Sequence, residues 1–160
     1  MQRLAALGLL DERAIDAELE RDRTAAGERR ATAALAARPD PAAKEAAWNA
    51  VVGTDTLSNH LQAATMAGFA QIEQAALLEP YVGRYLDTVG GLWETRSMDA
   101  AQSIAEMLFP AWSLRDETVE RVDDYLREVN PQSGLRRVLI EGRDSLARAL
   151  RAQARDRQAA

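Results

Sequence analysis

Ser97-Met98-Asp99-Ala100-Ala101-Gln102-Ser103-Ile104-Ala105-Glu106-Met107-Leu108-Phe109-Pro110 sets Ala101, Ile104, Ala105 and Leu108 at i, i+3, i+4 and i+7. That spacing is one apolar stripe of an α-helix, with a serine to accept from the free amides at its start and a proline to break it. The same punctuation recurs along the chain. Asp40-Pro41 joins an N-cap to a proline at the first helical position and opens a helix carrying Ala47, Trp48, Val51 and Val52, which Gly53 is expected to close. Upstream, a first piece from Gln2 to Leu7 stops at Gly8, Asp11 caps a helix through Ile15 and Leu19, and Thr24 caps another that runs to about Ala37. Thr54 or Thr56 is expected to start the next, with Leu57, Leu61 and Ala64 on its stripe and Gly68 at its end. Ile72 to Leu78 reads as a short helix stopped by Pro80, and Tyr81 to Val89 as one that ends at Gly90-Gly91. Downstream, Ser113-Leu114-Arg115-Asp116 reads as a capping box before a stripe of Val119, Val122, Leu126 and Val129. After Asn130-Pro131 the longest helix is predicted from Gly134 to about Arg155, on Leu135, Val138, Leu139, Gly142, Leu146, Ala149 and Leu150.

Nothing alternates for long enough to make a strand, so the chain is predicted to be all-α. Short connections make neighbouring helices antiparallel, and thin helices must stack to bury their faces. A HEAT-like α-solenoid of antiparallel helix pairs is the simplest arrangement, with an irregular helical bundle as the alternative; no clean repeat period is present. Residues 1–160 are read as a single helical-repeat domain. Helical periodicity is already under way at the first residues, which fits a C-terminal fragment of a longer chain.

The 160 residues have a formal net charge of -5 and a pI of about 5.0, with both signs interspersed, so no basic footprint for nucleic acid exists. No run approaches the roughly 18 apolar residues of a membrane span, and no partner of either kind is expected. Alanine makes up about a fifth of the chain, and Lys44 is the single lysine beside many arginines. The absence of cysteine fits a reducing cytoplasm, the expected location.

One histidine, His60, and no cysteine cannot assemble a zinc site of the usual three or four ligands, nor the H-E-x-x-H of a zinc peptidase. No catalytic or metal-binding residue is therefore assigned, and no cofactor is expected in this segment. His60 has no second ligand or nucleophile within helical reach and reads as a surface imidazole. Trp48, Trp93, Trp112, Phe69 and Phe109 are scarce large side chains whose expected place is the gaps between helix pairs. On the last helix, Arg137 with Glu141 and Asp144 with Arg148 stand at i, i+4 as ion pairs. Arg143 or Arg148 is alternatively a bidentate holder of a carboxylate, and both are the candidate peptide or domain-interface contacts. Gly142 inside that helix marks a close crossing. No glycine-rich phosphate loop is present, and Asp123-Asp124 point to different helix faces.

Ordered along the chain, Leu7-Gly8-Leu9-Leu10-Asp11, Ile15-Asp16-Ala17-Glu18-Leu19, Asp22-Arg23-Thr24-Ala25-Ala26-Gly27 and Lys44-Glu45-Ala46-Ala47-Trp48 resemble the C-terminal domain of bacterial aminopeptidase N, in its actinobacterial form. The likeness continues through Gly68-Phe69, Leu78-Glu79-Pro80-Tyr81-Val82, Trp93-Glu94-Thr95-Arg96-Ser97, Leu108-Phe109-Pro110, the run from Arg136 to Asp144, and Arg148-Ala149-Leu150-Arg151. The resemblance implies a HEAT-like helical domain that follows a thermolysin-like catalytic domain, with zinc held in that absent domain. It also implies peptide substrates and the catalytic domain of the same parent chain as partners. None of the family's catalytic motifs stands in this sequence, so none of its catalytic residues is carried over. The expected function is a non-catalytic lid that covers the active site of a zinc aminopeptidase and shapes its peptide chamber, inactive by itself. The alternative is a stand-alone helical-repeat scaffold for a protein partner.

Overall fold

The computed structural model of the protein describes residues 1–128 and 132–159. Val129, Asn130 and Pro131, read above as a stripe residue and a helix break, lie outside the described residues. Ten α-helices and no strand occur among those described: α1 Gln2–Ala6, α2 Glu12–Arg21, α3 Ala25–Ala37, α4 Pro41–Trp48, α5 Asn59–Phe69, α6 Ala75–Leu78, α7 Pro80–Thr95, α8 Met98–Met107, α9 Asp116–Glu128 and α10 Ser133–Ala159. The fold is all-α. The chain packs into two compact units, Met1–Leu78 and Glu79–Ala160.

In the first unit α3 is the hub, touching α1, α2, α4 and α5. Its sequence explains the role: Ala31, Ala33, Ala34, Ala36 and Ala37 are buried, and side chains this small let neighbouring backbones come close. The caps expected from sequence are present. The Asp11 carboxylate accepts from the Ala14 amide, Thr24 from Gly27 and Asp40 from Ala42. Gly8 closes α1 at φ +71°, a left-handed conformation that glycine enters without Cβ strain. A cluster of Ala5, Ile15, Ala31 and Ala34, flanked by Met1, Leu10, Leu19 and Leu35, forms one part of the core. Trp48 and Phe69 meet elsewhere in the unit with ring centroids 5.8 Å apart.

Three expectations for this unit are corrected. The helical path opened by Pro41 does end at Gly53 as expected, but its last part, Asn49–Gly53, is a wider π-helical turn and not α-helix. α5 is capped by Ser58, whose hydroxyl accepts from Leu61, not by Thr54 or Thr56. Its buried face is Gln62, Thr65, Met66 and Phe69, so Leu57, Leu61 and Ala64 are only half-buried. Gly68 stands at the end of α5 as expected, one residue before its last, Phe69, and has a packing role as well. It is the point where α5 meets α3: a Cβ there would overlap the Ala33 carbonyl oxygen and lie 2.8 Å from the Ala36 Cβ.

The second unit is built from α7 to α10 around Tyr85, Trp93, Phe109 and Trp112, all buried. The Tyr85 hydroxyl donates to the Ala105 carbonyl at 2.7 Å, and its ring meets Phe109 edge-on at 6.0 Å. α7 runs straight through Gly90-Gly91, against expectation. Val82, Tyr85, Leu86, Val89 and Trp93 are buried on one stripe, and that burial exceeds the roughly 1 kcal/mol each glycine costs a helix. Gly90 also leaves room for the Tyr125 hydroxyl, which would stand 2.7 Å from a Cβ there. Ser97 caps α8 as expected, and Ala101, Ile104, Ala105 and Leu108 are all buried. Ser113 meets the first turn of α9 through a side chain and not as the expected cap on a backbone amide. Its hydroxyl donates to the Glu79 carboxylate at 3.0 Å and accepts from Thr118 at 2.8 Å. On α10 the buried stripe is Leu135, Val138, Leu139 and Leu146. Ala149 is exposed, and residues 151–158 are exposed throughout. Gly142 does mark a close approach, to the Phe109 ring, 2.7 Å from where its Cβ would be.

Candidate functional site

The arginines of α10 do three different things. Arg136 donates to the Leu126 carbonyl at 2.9 Å, satisfying an acceptor at the end of α9. Arg143 grips Asp123 of α9 with two parallel bonds, Nε to Oδ1 at 2.9 Å and Nη2 to Oδ2 at 2.8 Å, and reaches Asp144 Oδ1 with Nη1 at 3.0 Å. Those carboxylates, Asp123 first, hold the guanidinium pKa above its ordinary value. Arg148 is exposed and donates to the Ser145 hydroxyl at 2.9 Å. Asp144 is thus taken by its chain neighbour Arg143, where the sequence suggested Arg148. Arg143 spends its planar fork on a carboxylate of its own unit, and Arg148 stays at the surface.

A second polar centre lies in the first unit. Lys44 is fully buried, and its ammonium donates to the carbonyls of Ala36 at 2.7 Å, Phe69 at 3.1 Å and Gly68 at 3.5 Å. These are the last carbonyls of α3 and α5, which have no partner within their own helices and form the negative ends of two helix dipoles. Gln74 extends the arrangement, its Nε2 donating to Ala37 and Ala6 at 2.9 Å each. Gln2 and Gln71 both donate to Ala67. Three helix C-termini are therefore closed by side chains. Burial lowers the Lys44 pKa from 10.5 to about 8.

Sequence reasoning gave Lys44 no structural role. Its position carried a signal all the same: Lys44, Ala47, Trp48 and Val51 fall at i, i+3, i+4 and i+7, which puts a cation on an apolar stripe. His60, in contrast, is exposed at the start of α5. Among the described residues no group of three or more His, Cys, Asp or Glu is placed to hold a metal ion, so these residues do not fit a zinc site. The five large aromatics singled out above are all buried in the cores. Each unit also carries an open cleft. One of about 400 Å³ lies along α3 and α4, with six alanines on its wall together with Glu12, Arg38 and Asp40. Arg38 is bonded there to Glu12 at 2.9 Å and Asp40 at 3.0 Å. The other, about 580 Å³, lies along α7 and α9 between Asp87, Glu94, Asp124 and Glu128, with Arg121 among them.

This arrangement braces helix ends through Lys44 and spends the fork of Arg143 on a carboxylate of the same unit. Residues 1–148 match the family of ERAP1-like C-terminal domains. The chain belongs to that family. It is 48% identical over all of its 160 residues to Aminopeptidase N of Streptomyces lividans, of which the match covers 19%. This ERAP1-like C-terminal domain thus spans about a fifth of the length of the relative it matches. Among its described residues, no helix is long and apolar enough to cross a membrane.

Proposed function

We propose that this chain is the non-catalytic C-terminal part of a zinc aminopeptidase, covering the active site and forming part of the wall of the chamber that admits peptides. The observation that carries the reading is the 48% identity, over all 160 residues, to about one fifth of an aminopeptidase. The chemistry of the residues agrees with it. One histidine and no cysteine leave the zinc, and the cleavage it supports, to the rest of the enzyme. By covering the cleft the domain restricts entry to flexible peptides and excludes water from the reacting centre, which strengthens electrostatic interactions there. Arg148, exposed on α10, is the better placed of the two arginines to meet a peptide carboxylate, because Arg143 is held by Asp123 and Asp144.

The test uses the isolated chain and a graft of it into the Streptomyces lividans enzyme in place of the aligned segment. The isolated chain is expected to bind no stoichiometric zinc and to leave alanyl and leucyl amides intact, while the graft cleaves both. In the graft, Arg148→Glu is expected to raise KM for long peptides several-fold. Metal-dependent turnover by the homogeneous isolated chain, or an inactive graft, overturns the proposal.

A further inference from the structure

Helix α1 shows large apolar side chains to water. Its half-buried Gln2 donates to the Ala67 carbonyl at 3.0 Å, and exposed Arg3 pairs at the surface with exposed Glu73. Its leucines face water. Leu4 is 47% and Leu7 52% exposed, and Leu9, whose amide is tied back to the Leu4 carbonyl at 2.9 Å, is 69% exposed. On the other side Ala5 is fully buried against Ile15, Ala31 and Ala34. Of the six exposed large apolar side chains among the described residues, three therefore fall between Leu4 and Leu9, and a fourth, Ile72, adjoins the partner of Arg3. A cleft of about 420 Å³ opens beside them, with Met1, Leu4 and Leu10 on its wall together with Glu18, Asp22 and Arg30. A helix apolar on opposite sides is what a middle layer needs, because each side then has something to pack against.

We infer that Leu4, Leu7 and Leu9 form a seam that receives an apolar helix face from the part of the aminopeptidase outside these 160 residues; the inference rests on the function proposed above. Area selects this occupant over a second copy of the chain. Three leucines at these exposures present on the order of 300 Å², well below the roughly 800 Å² per partner of a stable complex. A neighbour on the same polypeptide avoids the translational cost of association, so a small patch is enough to seat it. The run Leu4-Ala5-Ala6-Leu7-Gly8-Leu9 carries no charge, and the charges beside it, Arg3 and Glu73, are paired with each other, so it suits an apolar neighbour. The matched segment is 19% of the relative, which leaves most of that chain to supply the helix.

The test compares L4K/L7K/L9K, and the milder Leu7→Ser, in the isolated chain and in the graft. In the isolated chain these exposed positions should shift the melting temperature by no more than about 2 °C, with monomer seen by sedimentation before and after. In the graft the triple variant should lower the melting temperature by at least about 5 °C, or abolish peptidase activity, and Leu7→Ser should act in the same direction. Equal shifts in the two contexts overturn the seam. So does a wild-type isolated chain that dimerises and is made monomeric by the substitutions. An inactive wild-type graft takes down the proposed function and the seam together, whereas an active graft indifferent to the substitutions takes down the seam alone.

Discussion

The ammonium of Lys44 donates to the backbone carbonyl of Phe69 at 3.1 Å while standing 5.7 Å from the centroid of the same residue's ring. One cation thereby meets the negative end of α5 and an aromatic face, with α3 closed by the same atom through Ala36 at 2.7 Å. Its burial sets a direction for pH dependence. Folding lowers the pKa from 10.5 to about 8, so between those values the unfolded chain keeps a proton that the folded chain has released. Stability from this group is therefore flat below about pH 8 and rises with pH from about 8 to 10.5, by on the order of 3 kcal/mol. The neutral amine still has two N–H donors for the contacts at 2.7 and 3.1 Å, and gives up the one at 3.5 Å. Because Lys44 is the only lysine, its Nζ resonance is directly assignable, and a titration midpoint near 8 is expected. A midpoint at or above 10.5 would show that the carbonyls outweigh burial.

Replacing Lys44 by methionine keeps most of the volume and removes the donors. The carbonyls of Ala36, Gly68 and Phe69 then lose that partner inside the core, at an expected cost of about 3 kcal/mol in denaturant unfolding. The same geometry predicts that amine-reactive reagents modify the native chain at its terminal amine alone and reach Lys44 after unfolding. Rapid native modification at Lys44 would contradict its burial.

Helix starts were legible in the sequence because capping is local: Asp11, Thr24, Asp40 and Ser97 each accept from an amide two or three residues ahead. Helix ends and faces were less so. Gly90 resembles a stop, yet α7 runs through it and it leaves room for the Tyr125 hydroxyl, while Gly68, at the end of α5 as read, also leaves room for the Ala33 carbonyl. Ser113 resembles a cap, but its hydroxyl is taken by Glu79, 34 residues away. The polar centre at Lys44 depends on three helix ends meeting, which no local window contains. The grip of Arg143 was foreseeable as chemistry, though not its partner, since Asp123 reaches it only when α9 packs on α10.

Gly68 and Gly91 give opposite predictions. Gly68→Ala forces a methyl against the Ala33 backbone, where no flexible side chain can yield, and α3 must separate from α5. A loss of about 3 kcal/mol is expected. Gly91 is exposed in the middle of α7, and a Cβ there meets nothing within 4 Å. Gly91→Ala should stabilise by up to about 1 kcal/mol. Thermal melts of the two variants beside wild type check both signs.

The Arg143–Asp123 pair separates shape from charge. Both side chains are about one-third exposed, 35% and 36%, so solvent screens much of the attraction. Arg143→Lys keeps the charge but loses the planar fork that makes two parallel bonds, and should cost about 0.5–1 kcal/mol with little change in salt dependence. Arg143→Gln removes the charge and leaves Asp123 and Asp144 without it, so its deficit relative to wild type should shrink as salt rises from 0.05 to about 1 M, where the screening length falls to roughly 3 Å. A glutamine variant with a deficit independent of salt would mean that the bond geometry, not the charge, fastens α9 to α10.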